Sequence, residues 1–246
     1  MGLRIQSATA QYPGFSYPNA MEHLKQRGAG IEDVQLCPQT PFPLTPERLA
    51  QLHEAYPDTR FRLHANVPLA SGRSFFTASE ALLPEALPIF RQWAELHRQA
   101  GATVYSLHAS SPRFGRPENT EAFVRGVRFL EELFEGPVAV EGLYPDPQGS
   151  HFIATWEEYR WLLESGLSYA LDLSHLNIVK TREHLLPLGL VQDLLASPKC
   201  LEIHISGNDG RRDNHRRCPA DIWWIPLLES ANPHAVIFSE EDQTRP

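Results

Sequence analysis

Residues 155–206 read TWEEYRWLLESGLSYALDLSHLNIVKTREHLLPLGLVQDLLASPKCLEIHIS. Two short apolar runs rich in β-forming residues occur in this stretch, over 168–174 and over 200–206. A longer helical pattern precedes each run, near 156–165 and near 182–197. Helical patterns that alternate with short strands are typical of repeated βα units and a parallel sheet.

The same alternation extends over the whole chain. It predicts eight strands, over Leu3–Ala8, Asp33–Cys37, Arg60–Asn66, Thr103–Ala109, Val138–Leu143, Ser168–Ser174, Cys200–Ser206 and Ala235–Glu240. It predicts seven helices, near 19–29, 46–56, 84–100, 119–135, 156–165, 182–197 and 221–230. Two helix starts are marked locally, because Thr45-Pro46 combines a capping hydroxyl with a first-turn proline and Thr155 with Glu158 forms a capping-box pattern.

Eight strands within 246 residues predict a single (β/α)8 TIM barrel that covers residues 1–246. A doubly wound dinucleotide-binding sheet is disfavoured, because no glycine-rich turn follows the first strand. The chain ends at Pro246, soon after the eighth strand, so the barrel is expected to lack its last outer helix. A second copy of the chain could cover this seam, so we expect a homo-oligomer.

Composition and charge narrow the class of protein. The chain is 42% apolar and 21% charged, which is typical of a folded domain. It has no run of 18 apolar residues and no apolar segment after its first arginine, so we expect a cytoplasmic protein without a membrane segment. The net charge of −8 disfavours a general nucleic-acid binder. Three widely spaced cysteines, Cys37, Cys200 and Cys218, predict neither a disulfide framework nor a structural zinc site.

Polar side chains mark the carboxyl-terminal ends of the predicted strands. From the third strand onward each strand ends in a side chain able to bind a metal, and the loop after the seventh strand adds two more. The nine candidates are His64, His108, Glu141, Asp172, His175, His204, Asp213, His215 and Glu240. Because active sites of TIM barrels lie at this end of the barrel, we expect all nine to share one cavity.

One histidine at a strand end is more often a packed side chain than a ligand. Six consecutive strand ends are not explained in that way. Five imidazoles and four carboxylates also exceed the three or so protein ligands that one catalytic metal uses. The set therefore predicts two or three divalent metal ions, and the absence of a cysteine ligand leaves iron, zinc and manganese open.

The order and spacing of these residues resemble the ligand series of the xylose-isomerase-like TIM-barrel superfamily, most closely its trinuclear branches. Glu202-Ile-His204-Ile-Ser-Gly207 with Asp213-Asn-His215, and the ending Phe238-Ser-Glu240-Glu-Asp242-Gln-Thr-Arg-Pro246, are similar to the multinuclear non-heme iron-dependent oxidase family. Residues 63–72, LHANVPLASG, are similar to the third-strand segment of that family.

The resemblance to the oxidases implies an iron enzyme that modifies a cysteine-containing peptide or a small thiol. One iron would bind the substrate thiolate and a neighbouring ferrous centre would bind O2. It also implies a separate protein partner that recognises the peptide substrate.

Two other branches remain open. Asp172-Leu-Ser-His175 and Asp213-Asn-His215 are similar to ligand pairs of endonuclease IV, which implies a zinc phosphodiesterase acting at abasic sites in DNA. The oxidase family usually carries Asn at the position of His175, so this histidine favours the nuclease. The sugar isomerases and epimerases hold one metal with residues that would be Glu141, Asp172, His204 and Glu240 here. Only under the nuclease alternative is nucleic acid a partner.

Candidate roles follow for individual residues. His175, Asp213 and Glu240 are the candidate catalytic residues among the nine. Arg211 and Arg212, with Arg216 and Arg217, flank the Asp213-Asn-His215 pair and could bind a phosphate or a peptide carboxylate. Asn208 is a further candidate for substrate binding. Of the adjacent Glu240 and Glu241, strand alternation places only one side chain inward, and we assign Glu240.

Overall fold

Eight parallel strands close into a barrel in the order of the sequence. The computed structural model describes residues 4–40, 42–64, 77–111 and 115–244. The strands are β1 Ile5–Ala8, β2 Asp33–Leu36, β3 Arg60–His64, β4 Tyr105–His108, β5 Val138–Glu141, β6 Tyr169–Asp172, β7 Cys200–Ile205 and β8 Val236–Ser239. β8 pairs with β1, so the sheet has no open edge. The predicted (β/α)8 barrel is confirmed.

Seven α-helices surround the barrel in the described residues. They are α1 Tyr17–Gln26, α2 Pro46–Ala55, α3 Leu87–Gln99, α4 Thr120–Phe134, α5 Trp156–Glu164, α6 Leu173–Glu183 and α7 Leu188–Ala196. Short 3-10 helices occur at Thr9–Gln11, Ala78–Glu80 and Ile225–Ser230. Residues 240–244, after β8, contain no helix. No described helix is long and apolar enough to cross a membrane.

Local capping explains where several helices begin. Thr45 Oγ1 accepts a hydrogen bond from Arg48 N at 3.3 Å, and Pro46 occupies the first turn of α2. Thr155 Oγ1 accepts one from Glu158 N at 3.3 Å at the start of α5. Both predicted starts are confirmed, because in each a side-chain oxygen satisfies a backbone N–H that has no partner within the helix. The predicted capping box at α5 is formed only in part, since Glu158 Oε2 accepts from Ala154 N at 2.8 Å and not from the N-cap residue Thr155.

The region between β6 and β7 departs from the prediction of one helix near 182–197. The chain forms two helices there, α6 and α7, which are separated at His184–Pro187. His184 has a φ of 52°, in the left-handed region, and it ends α6. The helix predicted near 221–230 is also wrong in type, because a 3-10 helix with proline in its first turn occupies 225–230.

The apolar core lies between the barrel and its helices. Large fully buried side chains such as Phe61, Tyr105, Tyr159 and Tyr169 fill this layer. Tyr159 Oη donates to Leu143 O at 2.8 Å, and Tyr169 Oη donates to Leu194 O at 2.7 Å. Buried phenols that find acceptors avoid the cost of an unpaired polar group, so they brace the outer helices against the strands.

Part of the predicted pattern lies outside the described residues. This applies to Leu3, to Asn66 at the end of the third predicted strand, and to most of the segment 63–72. Pro246, at the end of the last resembling motif, also lies outside them.

Candidate metal centre

Nine polar side chains meet at the carboxyl-terminal end of the barrel. Four of them are the last residues of consecutive strands: His64 of β3, His108 of β4, Glu141 of β5 and Asp172 of β6. His175 lies in α6 and His204 in β7. Asp213 and His215 lie in the loop after β7, and Glu240 directly follows β8. These are the nine residues that the sequence singles out. A continuous series of ligand-to-ligand distances of 3.2 to 3.7 Å joins all of them.

The ligand atoms fall into three overlapping groups. Within each group the atoms lie within 4.8 Å of one another: His64, His108 and Glu141; Glu141, Asp172 and His175; Asp172, His204 and Glu240. Glu141 and Asp172 each belong to two groups. Carboxylates can bridge neighbouring cations, so the arrangement can hold more than one ion.

Glu141 occupies the centre of the cluster and is buried. Its Oε2 lies 3.4 Å from His64 Nε2 and 3.3 Å from His204 Nδ1. Its Oε1 lies 3.7 Å from His108 Nε2 and 3.5 Å from His175 Nδ1. The two oxygens therefore face different histidines.

Asp172 caps a helix with one carboxylate oxygen and faces the cluster with the other. Its Oδ1 caps α6 by accepting hydrogen bonds from Ser174 N at 2.6 Å and His175 N at 3.0 Å. Its Oδ2 lies 3.6 Å from His175 Nε2. One oxygen thus fixes the start of the helix that carries His175, and the other faces the cluster.

The loop after β7 brings Asp213 and His215 to the cluster. Gly207 and Arg216 form an antiparallel bridge, in which the backbone N of each residue donates to the backbone O of the other at an N-to-O distance of 2.7 Å. A Cβ on Gly207 would lie 2.4 Å from Arg217 O, so this close approach requires glycine. Asp213 Oδ2 lies 3.2 Å from His215 Nε2 and 3.4 Å from His175 Nε2.

Three of the histidines are held at Nδ1. His64 Nδ1 contacts Ser106 Oγ at 3.2 Å, His175 Nδ1 contacts Gly142 O at 2.8 Å, and His215 Nδ1 contacts Glu240 O at 3.0 Å. In its neutral form, a histidine that donates from Nδ1 keeps its lone pair on Nε2. In all three, Nε2 then faces a carboxylate of the cluster.

Burial dominates the pKa values at the β3 and β4 side of the cluster. It lowers the pKa of His64 to about 3 and also lowers the pKa of His108. Burial alone would raise the pKa of Glu141, but its electrostatic interactions with the surrounding imidazoles of His108, His204 and His64 together hold it well below its usual value. This side therefore offers neutral imidazoles and an ionised carboxylate, the forms that bind metal ions.

The opposite side of the cluster retains protons. Burial raises the pKa of Glu240 to about 7. Burial by itself lowers the pKa of His215, but Asp213 and Glu240 outweigh it and raise the value to about 10. The pKa of His204 is likewise raised well above its usual value, because Glu141 and Glu240 together outweigh the effect of burial.

Three polar atoms in the cluster lack hydrogen bonds to any described residue. Glu141 Oε2, His204 Nδ1 and Glu240 Oε1 are all fully buried. His204 Nδ1 lies between the two carboxylate oxygens, at 3.3 Å and 3.7 Å. Buried polar groups without partners are costly in folded proteins. The residues present therefore fit bound cations.

Comparison with solved structures gives the fold. A xylose isomerase domain containing protein from Salmonella typhimurium matches with a TM-score of 0.70 at 16% identity, over 99% of this chain and 92% of that one. The chain therefore shares the TIM-barrel fold of this protein. A D-tagatose 3-epimerase-like protein matches this barrel with a TM-score of 0.66 at 16% identity, over 98% of this chain and 91% of that one.

A family 2 AP endonuclease from Brucella melitensis matches this barrel with a TM-score of 0.66 at 16% identity. The match covers 98% of this chain and 93% of the endonuclease. No protein-family model matches the chain, and no curated protein matches it.

The two candidate substrate-binding arginines lie in the loop after β7, which also carries Asp213 and His215. Arg211 and Arg212 are exposed. Arg211 lines a surface cavity of about 400 Å³ with Thr181, Arg182, His184 and Gly210, and none of the nine ligand residues lines it. A role for the two arginines in substrate binding stays a prediction.

Asn208 is engaged within the protein. Its Nδ2 donates to Ser174 O at 2.7 Å, and its Oδ1 accepts from Asn177 Nδ2 at 2.9 Å and from Gly210 N at 2.8 Å. These bonds tie the loop after β7 to α6. The structure thus gives Asn208 a positioning role, and a role in binding substrate stays a prediction.

The two adjacent glutamates at the end of β8 point in different directions. Glu240 is buried and faces His204 and His215. Glu241 Oε1 accepts a hydrogen bond from Cys218 N at 2.9 Å, outside the cluster. The structure therefore places Glu240, rather than Glu241, in the cluster.

Sequence reasoning missed a polar layer beneath the ligands. Gln35, Arg62, Ser106 and Glu202 are buried in the barrel interior. Arg62, Ser106 and Glu202 each stand two residues before a ligand histidine of the same strand. Because alternate residues of a strand share a face, a polar residue two positions before a ligand was the signal available in the sequence.

Proposed function

We propose that this chain is a multinuclear metal enzyme in which the nine clustered residues hold two or three divalent ions. The observation that carries the proposal is the overlap of the three ligand groups at Glu141 and Asp172. The unpaired, buried Glu141 Oε2, His204 Nδ1 and Glu240 Oε1 support it, because cations would satisfy them. Bound cations would supply a Lewis acid and, if iron, a redox centre.

The residues of the chain prepare this site before any ion binds. Ser106, Gly142 and the backbone of Glu240 orient three histidines. The N-cap of α6 orients Asp172. A preorganised ligand set loses little conformational freedom on binding, so the cost of ordering is met during folding.

We propose iron-dependent oxidation of a cysteine-containing peptide or a small thiol, with O2 as oxidant, as the reaction. The donor set supports this, because imidazole and carboxylate ligands suit iron. The resemblance of 202–215 and 238–246 to the iron-dependent oxidases supports it further. A separate recognition protein for the peptide, and association of the chain with itself, remain part of this proposal.

Metal content is the first test. Protein purified without added metal and without oxygen should contain about two or three ions per chain, since about three protein ligands serve each ion. The iron-loaded protein should then consume O2 in the presence of cysteine, glutathione or cysteine-containing peptides. The same peptides with Ser in place of Cys serve as controls. Equal O2 consumption with both peptide sets would contradict thiol oxidation.

A zinc phosphodiesterase is the second candidate, and His175 favours it. Asp213 Oδ2 lies 3.4 Å from His175 Nε2 and 3.2 Å from His215 Nε2, so both histidines face the same carboxylate oxygen. The likeness of the barrel to the family 2 AP endonuclease also supports this candidate. Zinc-loaded protein should then cleave a duplex with one abasic site and leave an intact duplex of the same sequence uncut.

A sugar isomerase with one metal is the third candidate, and the likeness of the barrel to the D-tagatose 3-epimerase-like protein supports it. It would use Glu141, Asp172, His204 and Glu240, leaving His64 and His108 without a role. About one tightly bound ion per chain would favour this candidate over the other two.

A further inference from the structure

His204 is oriented in the opposite way to the three histidines that are held at Nδ1. Its Nδ1 faces the cluster, 3.3 Å from Glu141 Oε2 and 3.7 Å from Glu240 Oε1. Its Nε2 faces away from these ligands, into the barrel, 3.0 Å from Gln35 Nε2 and 3.4 Å from Glu202 Oε2. If His204 binds a cation, Nδ1 is the atom that does so.

Glu202 is held from two sides. Arg62 Nη1 lies 3.0 Å from Glu202 Oε1, and Gln35 Nε2 donates to Glu202 Oε2 at 2.9 Å. All three side chains are buried, and Glu202 has no exposed surface. Two consecutive strands, β2 and β3, and the distant strand β7 therefore supply one connected network.

A charged pair at this place is unusual in a barrel of this kind. Bulky branched apolar side chains dominate the interior layers of TIM barrels. A buried ion pair contributes little to stability compared with apolar residues of similar size. Stability alone thus does not account for Arg62 and Glu202.

The two neighbours of His204 Nε2 suit different forms of the ring. A neutral imidazole has one N–H and one lone pair. Gln35 Nε2 can only donate, so its contact suits a ring with the lone pair on Nε2. A carboxylate can only accept, so Glu202 suits a ring with hydrogen on Nε2. A cation at Nδ1 requires the second form.

We propose that Glu202, held by Arg62 and Gln35, positions His204 as an Nδ1 ligand by accepting the hydrogen of Nε2. Glu202 is a positioning residue, because it acts through His204. Carboxylates that accept from the free ring nitrogen of a metal-bound histidine are common, and their loss weakens metal binding. The inference rests on the proposed metal site.

The wild-type protein provides the first test, with zinc as the probe. In protein with ¹⁵N-labelled histidine, NMR should show His204 Nε2 carrying hydrogen and Nδ1 shifted by the metal when zinc is bound. Hydrogen on Nδ1 of His204 in the zinc-loaded protein would overturn the inference. Failure of the wild-type protein to bind zinc, iron or manganese would instead contradict the proposed function itself.

Variants provide the second test. Glu202→Gln removes the carboxylate and should weaken zinc affinity by about 10- to 100-fold in competition with a chelator. Glu202→Asp, which keeps a carboxylate, should recover part of the affinity. Glu202→Gln alone leaves the buried charge of Arg62 without its partner carboxylate and can prevent folding. The double variant Arg62→Met with Glu202→Gln removes both charges and replaces the single variant in that case. Wild-type affinity in this double variant would overturn the inference.

Glu158→Gln is the matched control. Glu158 is a half-buried carboxylate of α5 that pairs with Arg116 and accepts a hydrogen bond from Ala154 N at 2.8 Å, and the described structure shows no contact between it and Arg62, Glu202 or a histidine of the cluster. A loss of stability in this variant should leave zinc affinity and the His204 tautomer unchanged. A purely structural role for Glu202 predicts the same behaviour for Glu202→Gln.

Discussion

His204 Nδ1 lies 3.3 Å from Glu141 Oε2, and neither atom forms a hydrogen bond with any described residue. Both side chains are buried. Leaving a buried donor or acceptor unsatisfied costs about 1–3 kcal/mol. A divalent cation between the imidazole and the carboxylate would remove this cost, so the pair is where metal binding can be tested most directly.

Substitution of Glu141, which two ligand groups share, should reduce the metal content by more than one ion per chain. Glu141 belongs to two of the three ligand groups, whereas His108 belongs to one. We expect Glu141→Gln to retain about one ion per chain or fewer, and His108→Asn to lose about one ion, by elemental mass spectrometry. Glu157→Gln, on the exposed side of α5, is the control. Equal losses in the Glu141 and His108 variants would show that Glu141 does not bridge.

Metal binding should release protons. Glu240, with its pKa raised to about 7, and His215, with its pKa raised to about 10, retain protons in the metal-free protein near neutral pH. A cation must displace these protons, so its affinity should rise from about pH 6, just below the pKa of Glu240, to about pH 10, the pKa of His215, and fall as acid restores the protons. Calorimetry of zinc binding in two buffers of different ionisation enthalpy measures the release. An affinity independent of pH would contradict this assignment of protons.

Gly142 should be sensitive to a single methyl group. A Cβ at this position would lie 2.5 Å from Tyr159 Cε1, and Tyr159 is fully buried. The Gly142 carbonyl also orients His175. We expect Gly142→Ala to lower the free energy of unfolding by about 1–3 kcal/mol and to weaken metal binding. Thermal unfolding and metal content measure the two effects.

Gly189→Ala in α7 is the matched control, because no heavy atom lies within 4 Å of its added Cβ. This substitution should leave stability unchanged or slightly raise it, since alanine favours helix more than glycine does. Stability of Gly142→Ala equal to that of the control would show that Tyr159 moves aside without cost.

Charge reversal at Arg211 and Arg212 tests their predicted role in binding an anionic substrate. Both arginines are exposed, so Arg211→Glu with Arg212→Glu should leave metal content unchanged. KM for the reacting thiol peptide or abasic duplex should rise about tenfold, which is the effect of losing about 1.4 kcal/mol. Arg125→Glu with Arg160→Glu, on the exposed faces of α4 and α5, makes the same change in charge elsewhere. Equal KM values in the two double variants would contradict a role for Arg211 and Arg212 in substrate binding.

Sequence reasoning failed at α6 for a physical reason. The buried residues of this helix, Leu173, Ser174, His175, Leu176, Ile178 and Val179, do not keep to one face. A helix that is buried on several sides has no amphipathic period to detect. Its N-cap is Asp172, which also serves as a candidate ligand, so the signal for the start of the helix was ambiguous.

The sequence by itself determined the barrel and the order of its candidate ligands. Alternating strands and helices, and polar residues at strand ends, are local patterns that can be recognised in the sequence without knowledge of the fold. Only the tertiary structure decided which atoms meet. Arg62 and Glu202 are 140 residues apart, and Gln35 and Glu202 are 167 apart. These contacts, and with them the orientation of the His204 ring, exist because the sheet closes on itself and brings distant strands to face one interior.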